Sequence, residues 1–493
     1  MTEQGVAKQQ RNARRAVVVG GGVSGLATAL RLLEGATARG LDLRVDVLEA
    51  APQVGGNLRT SAHDGWRLEW GPNGFLDNEP ATLRLVDRLG LRDELVRSSD
   101  AARRRFLVVG GRLREIPASP PAFLKTDLFT PRAKLRVLGE LLVPRRRDLG
   151  RAADDPATDE SVWEFGRRRL GRDFAELMLD PMVKGIFGGD ARRLSLAAAF
   201  PRMVELERDH GSLFRALAAI SKQRKRAADA GPSGTLHSFR DGMATLPAAL
   251  ARTLRGDPRA TLVTGCAVTS IRRDGAVWRV GVDEGASFDA DAVVHAAPAH
   301  AAAAHLHDLD PALSGLLDEI PYVPMAVIAL GYARGDVAHD LDGFGALIPT
   351  CERSRLLGAL WTSSIFPGRA PDGRVLLHCM AGGPLDPRVL DDGDDALRDR
   401  AVAELRGLMG LRGDPAMTRV FRHPRAIAQY EPGHLDRLRR MDARLAGLPG
   451  LHLSGSSYRG VSVNACIKES ETMAAAVLDR LAAAGPRVEG GPA

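Results

Sequence analysis

Three glycines, Gly20, Gly22 and Gly25, fall in the order GxGxxG within Gly20-Gly21-Gly22-Val23-Ser24-Gly25. In such a run the first glycine permits a tight turn, the second lets an anion approach the backbone, and the third lets a helix pack closely on the preceding strand. A helix opening at Val23 and Ser24 offers free N–H groups and a partial positive charge to a pyrophosphate. Downstream, Glu49 closes the apolar run Val45-Asp46-Val47-Leu48, where a carboxylate can accept hydrogen bonds from a ribose diol. A carboxylate there argues against a 2′-phosphate, so the pattern reads as a dinucleotide site that is not built for NADP.

The motif carries weight only in its structural context, and the neighbouring residues supply that context. Ala16–Val19 is an unbroken apolar run of the kind that forms a buried parallel strand. From Gly22 onward Leu26, Ala29, Leu30 and Leu33 recur at helical spacing, and Val45–Leu48 reads as the next strand, giving a βαβ unit. Residues 103–226 differ: apolar stretches such as Phe174–Met178 and Leu213–Ile220 alternate with arginine runs, which predicts a mostly helical insertion. Lys222–Gly234 reads as a polar hinge. Strand-like segments return at Thr261–Thr264, Val277–Val282 and Ala292–Ala296, then at Met325–Tyr332, Gly345–Ile348 and Val375–Met380. The last stretch reads as a strand, Leu451–Leu453, a Gly/Ser turn, and a helix from Asn464 to about Leu481.

A chain of 493 residues implies two or three domains, or one large domain with an insertion. Hydrophobic residues at 44% and charged residues at 26% exclude a disordered or collagen-like chain. No run of 18 apolar residues occurs, so no transmembrane helix is expected. The opening MTEQGVAKQQRNARR reads as a polar leader and not as a secretory signal. Cys266, Cys351, Cys379 and Cys466 have neither CxxC nor metal-ligand spacing, which predicts reduced thiols in a cytosolic protein and no metal. Residues 101–150 hold twelve Lys/Arg against four Asp/Glu, a surplus suited to an anionic membrane, ligand or nucleic acid.

Beyond Glu49 come Gln53-Val54-Gly55-Gly56-Asn57-Leu58-Arg59-Thr60 and then Glu69-Trp70-Gly71-Pro72-Asn73. This arrangement resembles flavin enzymes of the amine oxidase and phytoene desaturase group, where the segment passes the pyrophosphate and runs under the isoalloxazine ring. Those enzymes usually carry Arg where this chain has Gln53, with Arg59 as the substitute phosphate contact. Gly455-Ser456-Ser457-Tyr458-Arg459-Gly460-Val461-Ser462-Val463-Asn464 precedes a helix whose N-terminus suits the negative charge of a reduced flavin. Read alone, the same segment is a capped helix with Asn464 as N-cap.

From about Arg15 to Leu481 the chain resembles the oxygen-dependent protoporphyrinogen oxidase family. The stretches that carry the likeness include EWGPNGFLDNEPAT, RRRFLVVGGRLREIPASPPAFL, DPMVKGIFGGDARRLSLAAAFPRMVELERDHGSL, LDGFGALIP, LLGALWTSSIFPGRA and LSGSSYRGVSVNACI. Two places depart from the family pattern: Ala428-Gln429-Tyr430 replaces Pro-Gln-Tyr, and Asn464-Ala465-Cys466 replaces Asn-Asp-Cys. The resemblance implies an α/β fold with a Rossmann-like FAD-binding domain of discontinuous segments, 14–99, 228–308 and 426–485. It adds an antiparallel-sheet substrate domain, 309–425, and a helical membrane-associating insertion, 100–227.

The implied cofactor is FAD. The residues implied to hold it are Gly20, Gly22, Val23, Ser24, Gly25, Glu49, Gly55, Gly56, Asn57, Arg59, Gly71, Pro72, Val268, Gly455, Val461, Val463 and Asn464. The implied reaction converts protoporphyrinogen IX to protoporphyrin IX, six electrons in three hydride transfers to the flavin, with O2 reduced to H2O2. No protein base is nominated, because the flavin does the chemistry. An apolar disc with propionate arms needs apolar walls, a close backbone and a cation. By resemblance these are Phe344, Leu347, Leu360 and Met380, then Gly185, then Arg105. The implied setting is cytoplasmic, peripheral to the inner face of the cell membrane. No nucleic acid is involved, and a homodimer is compatible with the pattern. Two alternatives stay open: oxidation of coproporphyrinogen III to coproporphyrin III, and a binding protein of the GDP dissociation inhibitor type on the same fold.

Overall fold

A computed structural model describes residues 13–226 and 234–483. Residues 1–12 of the expected leader and 227–233 of the expected hinge lie outside the described residues; Arg14 and Arg15, the end of the expected leader, already belong to the first strand, and the helix Leu213–Arg226 runs into the start of that hinge. The first strand, β1 (Arg14–Val19), is followed by α1 (Val23–Ala38) and β2 (Leu43–Glu49), the βαβ unit expected from the apolar spacing. β1 pairs in parallel with β2 on one side and with Ala292–His295 on the other. Ala260–Thr264 joins outside β2, and Leu451–Leu453 joins outside Ala292–His295, completing a five-stranded parallel sheet drawn from three separate stretches of chain.

Strand alternation sorts the side chains onto two faces. Ala16, Val18, Val45, Val47 and Val294 pack against α1 and against Ile467 and Leu478 of the C-terminal helix Val463–Ala483. Val17, Val19, Leu48 and Val293 face the opposite way, onto Ile271, Trp278 and Val280 of a three-stranded sheet. The strands are therefore largely apolar, because both faces are buried, and the buried Asp46 is paired with Arg15 at 2.9 Å.

A second, seven-stranded sheet has the order Met417–Ala428, Tyr322–Ala333, Arg374–Gly382, Leu356–Leu360, Gly345–Leu347, Phe106–Val109, Arg112–Glu115. Its pairs are antiparallel, except that Gly345–Leu347 runs parallel to Phe106–Val109. The stretch expected to be helical thus opens with a hairpin. The reason is period-two burial: Phe106 and Val108 enter the core shared with Ile328, Ala346 and Cys379. Beyond the hairpin the insertion is helical, including Pro131–Leu138, Val162–Arg169, Asp180–Phe187, Pro201–His210 and Leu213–Arg226. Helix Asp394–Met409 covers one face of the seven-stranded sheet through Leu397, Ala401 and Leu405. On the other face Val327, Ala329 and Leu376 pack against Trp66 and Leu68, in the segment that follows the second glycine pair.

Candidate active site

The glycine loop is shaped by contacts that leave one opening. Gly20 has φ +107°, and a Cβ there would lie 2.9 Å from the Ala297 backbone nitrogen. A Cβ at Gly25 would lie 1.9 Å from the Gly20 carbonyl oxygen, so that helix–strand contact excludes any side chain. At Gly22 the nearest atom to a Cβ is Gly56 Cα at 3.9 Å, which leaves open space in front of α1. No side chain caps α1, so the amides of its first turn, at Val23, Ser24 and Gly25, face that space. Gly22 bridges to Gly55, and the Gly55 N–H donates to the Gly21 carbonyl at 2.8 Å, folding the second glycine pair over the first.

At the end of β2, Glu49 is held by its backbone surroundings. The Gly21 N–H donates to Oε2 at 2.6 Å, and the Ala51 N–H donates to Oε1 at 2.8 Å. Each carboxylate oxygen keeps a further lone pair for a diol. The Cys266 N–H donates to the Glu49 carbonyl at 2.9 Å, which brings the start of strand Val268–Asp274 alongside; Val268 itself is buried. Gly71 passes so close to Asn57 that a Cβ would sit 3.0 Å from the Asn57 carbonyl oxygen. Pro72, next to it, is exposed. Arg59 lays its guanidinium over Trp70, 5.4 Å from the ring centroid, and Trp70 stacks on Phe421 at 4.8 Å. Arg59 Nε and Asn73 Oδ1 are both buried without a hydrogen-bond partner among the described residues. Unpaired buried polar atoms flanking a glycine-lined opening fit a polar cofactor threaded between these segments.

The chain's far end closes on the same place. Gly455 has φ +111°, and a Cβ there would lie 3.7 Å from Ser24 Oγ. The Tyr430 hydroxyl accepts from the Gly460 N–H at 2.9 Å and donates to the Ser456 carbonyl at 2.7 Å, fixing the Gly/Ser turn from inside. Val461 is half-buried and Val463 buried at the helix start. Asn464 is not the cap. Ser462 Oγ accepts from the Ala465 N–H at 3.1 Å, and Asn464 lies inside the helix. It accepts from the Thr82 hydroxyl and donates to the Leu76 carbonyl, both at 2.8 Å. The physical reason is position: a side chain one residue past the first helical residue points back to a neighbouring segment, away from its own first-turn amides.

Sequence reasoning passed over Glu69, which lies beneath the Trp70–Gly71 turn. It is 1% exposed, accepts from the Thr60 hydroxyl at 2.7 Å and the Met243 N–H at 3.0 Å, and has Arg369 at 3.6 Å. Burial pushes its carboxyl up to about 7, with Arg369, Thr60 and Met243 opposing the rise.

On the face of the seven-stranded sheet away from helix Asp394–Met409, Leu347, Gly358 and Met380 occupy one row of register, and Leu360 lies two residues along from Gly358. The alternation puts Leu347, Leu360 and Met380 on one side, and all three are half-buried. Gly185, on helix Asp180–Phe187, meets Leu347: a Cβ there would lie 3.0 Å from Leu347 Cδ2. Phe344 packs with Leu360, Ile365 and Phe366. Arg105 stands directly before strand Phe106–Val109, with its guanidinium 5.2 Å from the Phe344 ring centroid. The neighbouring arginines are engaged: Arg103 with Asp100 at 3.2 Å, and Arg104 with Glu115 at 2.8 Å and Asp342 at 2.5 Å. Arg105 makes no ion pair among the described residues.

Residues 23–478 match the flavin containing amine oxidoreductase family, and the chain belongs to it. It is an FAD-dependent oxidase. Among curated proteins it is 30% identical over 478 residues to coproporphyrinogen III oxidase of Bacillus subtilis (strain 168), covering 95% of this chain and 98% of that one. It is 33% identical to the chloroplastic protoporphyrinogen oxidase of Oryza sativa subsp. japonica, covering 94% and 88%. A crystal structure from Exiguobacterium sp. 255-15, provisionally named a protoporphyrinogen oxidase, superposes with a TM-score of 0.78 at 25% identity, covering 95% of this chain and 99% of that one. The family assignment decides for an enzyme over the binding-protein alternative.

Proposed function

We propose that this chain is a porphyrinogen oxidase and that coproporphyrinogen III is its substrate. The observation that carries the reading is the apolar row Leu347, Leu360 and Met380, flanked at Phe344 by the uncommitted Arg105. Such a surface suits a large apolar disc with carboxylate arms. Bound flavin supplies the two-electron acceptor, which O2 then returns to the oxidised state. The protein's part is to hold and shield. Val23, Ser24 and Gly25 amides would take the pyrophosphate, Glu49 the ribose, and the segments Gly55–Arg59, Gly71–Pro72 and Gly455–Asn464 the ring. Arg105 would anchor a propionate, its planar fork matching a carboxylate.

The choice of coproporphyrinogen over protoporphyrinogen IX, the substrate first expected, is supported by near-complete coverage of the Bacillus enzyme. Protoporphyrinogen IX remains the second reading, supported by the identity to the rice enzyme. Steady-state oxidation of each porphyrinogen, followed by H2O2 release, tests both. We expect kcat/KM to favour coproporphyrinogen III by at least about tenfold, some 1.4 kcal/mol of differential transition-state binding. The reverse ratio moves the assignment to protoporphyrinogen IX, and no oxidation of either overturns the reading.

No helix among the described residues is long and apolar enough to cross a membrane. The helical insertion carries exposed Leu135 (70%) and Leu142 (86%) near exposed Arg132, Arg145 and Arg147. This composition supports a peripheral contact with anionic lipid, at the inner face of the cell membrane. Binding to anionic vesicles should weaken as salt rises, because attraction at the surface is screened within about 8 Å at physiological ionic strength. Co-sedimentation that ignores both lipid charge and salt would remove the electrostatic part.

A further inference from the structure

We propose that Lys184 and Asp180 are positioning residues that set the width of the substrate cleft, a role that rests on the porphyrinogen reading above. Both lie on helix Asp180–Phe187, four residues apart and so on one face. Lys184 is 3% exposed, and its Nζ donates to the Ile348 carbonyl at 3.2 Å. Asp180 is 1% exposed and accepts from the Thr350 N–H at 2.8 Å and the Thr350 hydroxyl at 2.9 Å. Ile348 and Thr350 belong to the segment leaving strand Gly345–Leu347. The two side chains therefore grip the end of the strand whose last residue, Leu347, is a wall of the cleft.

The contact they hold has no slack. Leu347 Cδ2 lies 3.0 Å from where a Cβ would stand at Gly185 on the helix, and 3.0 Å from where one would stand at Gly358 on the neighbouring strand. The leucine is lodged between two glycines, and a Cβ at Gly358 would also lie 2.6 Å from the Ala346 carbonyl oxygen. The helix is fixed at its other end too: the Gln429 side chain donates to the Phe187 carbonyl at 2.9 Å, and Gly188 closes the helix at φ +60°. Its buried face, through Val183 and Phe187, packs in the core shared with the parallel sheet. One helix thus ties the cofactor side of the molecule to the cleft wall. A π-helical turn, Ala175–Leu179, precedes it, and such a turn inserts a residue that re-aims the helix that follows.

The chemistry of the latch points the same way. Burial holds the Lys184 ammonium below the usual lysine range, against the opposing field of Asp180. A buried charged pair is seldom a net source of stability, and apolar residues of the same volume would serve the fold as well. What the pair adds is direction: beside the Ile348 N–H bond to the Leu357 carbonyl at 3.0 Å, the bonds to Ile348 and Thr350 fix the strand end against the helix.

Lys184→Met and Asp180→Asn test this in the holoenzyme. The expected result is a roughly tenfold higher KM for the porphyrinogen, since misplacement by about 1 Å can cost up to about 100-fold. The flavin-to-protein ratio and kcat should stay within about twofold of the unmodified enzyme, and Kd for the porphyrin product, read by fluorescence quenching, should rise in step with KM. The double variant should be little worse than either single one, as for two parts of one latch. If Lys184→Met does not fold, Thr350→Val, which removes one of two bonds to Asp180, should raise KM about threefold. Unchanged KM in folded variants overturns the latch, as does a joint fall of kcat and flavin content, which marks a merely structural role. An unmodified enzyme that oxidises neither porphyrinogen overturns the functional reading and the latch together.

Discussion

Arg103, Arg104 and Arg105 are chemically identical in sequence and distinct in place. Arg104 is committed to Glu115 and Asp342, whereas Arg105 faces only the Phe344 ring. Charge that is already paired has little left for a ligand, so Arg105 is the residue proposed for a propionate. Arg105→Ala should raise KM for the porphyrinogen by roughly tenfold, as expected for a charge-assisted bond worth about 1.5–3 kcal/mol, and should leave the flavin spectrum unchanged. Arg105→Lys should recover part of that loss, since a point charge lacks the fork. Steady-state kinetics on both, beside Arg104→Ala, check the register: an effect at Arg104 with none at Arg105 would move the anchor by one residue. Glu49 poses the corresponding question for the cofactor. Its carboxylate is oriented by two backbone amides, so Glu49→Ala removes an acceptor already aimed, and flavin retention through gel filtration should fall about tenfold or more.

At the scale of elements, the glycine loop shows how one motif holds residues of opposite tolerance. Gly22→Val should fold, because a Cβ there meets nothing nearer than 3.9 Å, yet its branches would fill the opening in front of α1 and flavin content should drop below about a tenth. Gly25→Ala should instead lose soluble yield, because its Cβ would lie 1.9 Å from the Gly20 carbonyl. Flavin absorbance per protein and expression yield separate the two outcomes. This loop was legible in the sequence because its determinants are local: an apolar strand, a fixed spacing and a helical period. The strands Leu451–Leu453 and Ala292–His295 were legible for the same reason, from short apolar runs bounded by turn residues. What stayed hidden depends on contacts distant in the chain. The apolar run Phe106–Val109 reads as a strand start and is one, but its return strand Arg112–Glu115 and its place on the sheet beside Gly345–Leu347 leave no local mark. Asn464 looked like a cap because residue type alone does not tell a cap from the second residue of a helix. Lys184, inside the run Lys-Gly-Ile-Phe, gave no sign that its amine reaches Ile348.

At the scale of the molecule, the small hairpin Thr60–Glu69 is tied to the loop before strand Arg374–Gly382 by a buried pair that local sequence reading could not find, since Glu69 and Arg369 lie on different parts of the chain. Glu69 belongs to the strand Trp66–Glu69 beside the flavin segment, and Arg369 to the loop before strand Arg374–Gly382; Arg369 also donates to Ser238 Oγ at 2.7 Å and to the Phe239 carbonyl at 3.1 Å. Burial raises the carboxyl and lowers the guanidinium despite their proximity, so desolvation outweighs their attraction. Around Glu69 stand the Thr60 hydroxyl, the Met243 amide and Arg369, with Arg67 and Asp241 acting on Arg369 from outside. A carboxyl raised from 4.5 to about 7 binds a proton in the folded state over a range where the unfolded chain has lost it. Stability from this group is therefore full below about pH 4.5, declines as pH rises toward 7, and is absent above it. The change between those limits is at most about 3 kcal/mol, from the 1.36 kcal/mol that each unit of pKa represents. Glu69→Gln cannot ionise and should lose that slope. Urea midpoints measured at intervals from pH 4.5 to 8 should converge on those of Glu69→Gln at low pH and fall progressively below them as the solution becomes alkaline. Parallel curves for the two proteins across the whole range would mean that Arg369 holds Glu69 charged throughout, and that the joint between the hairpin and the loop is an ion pair across that range.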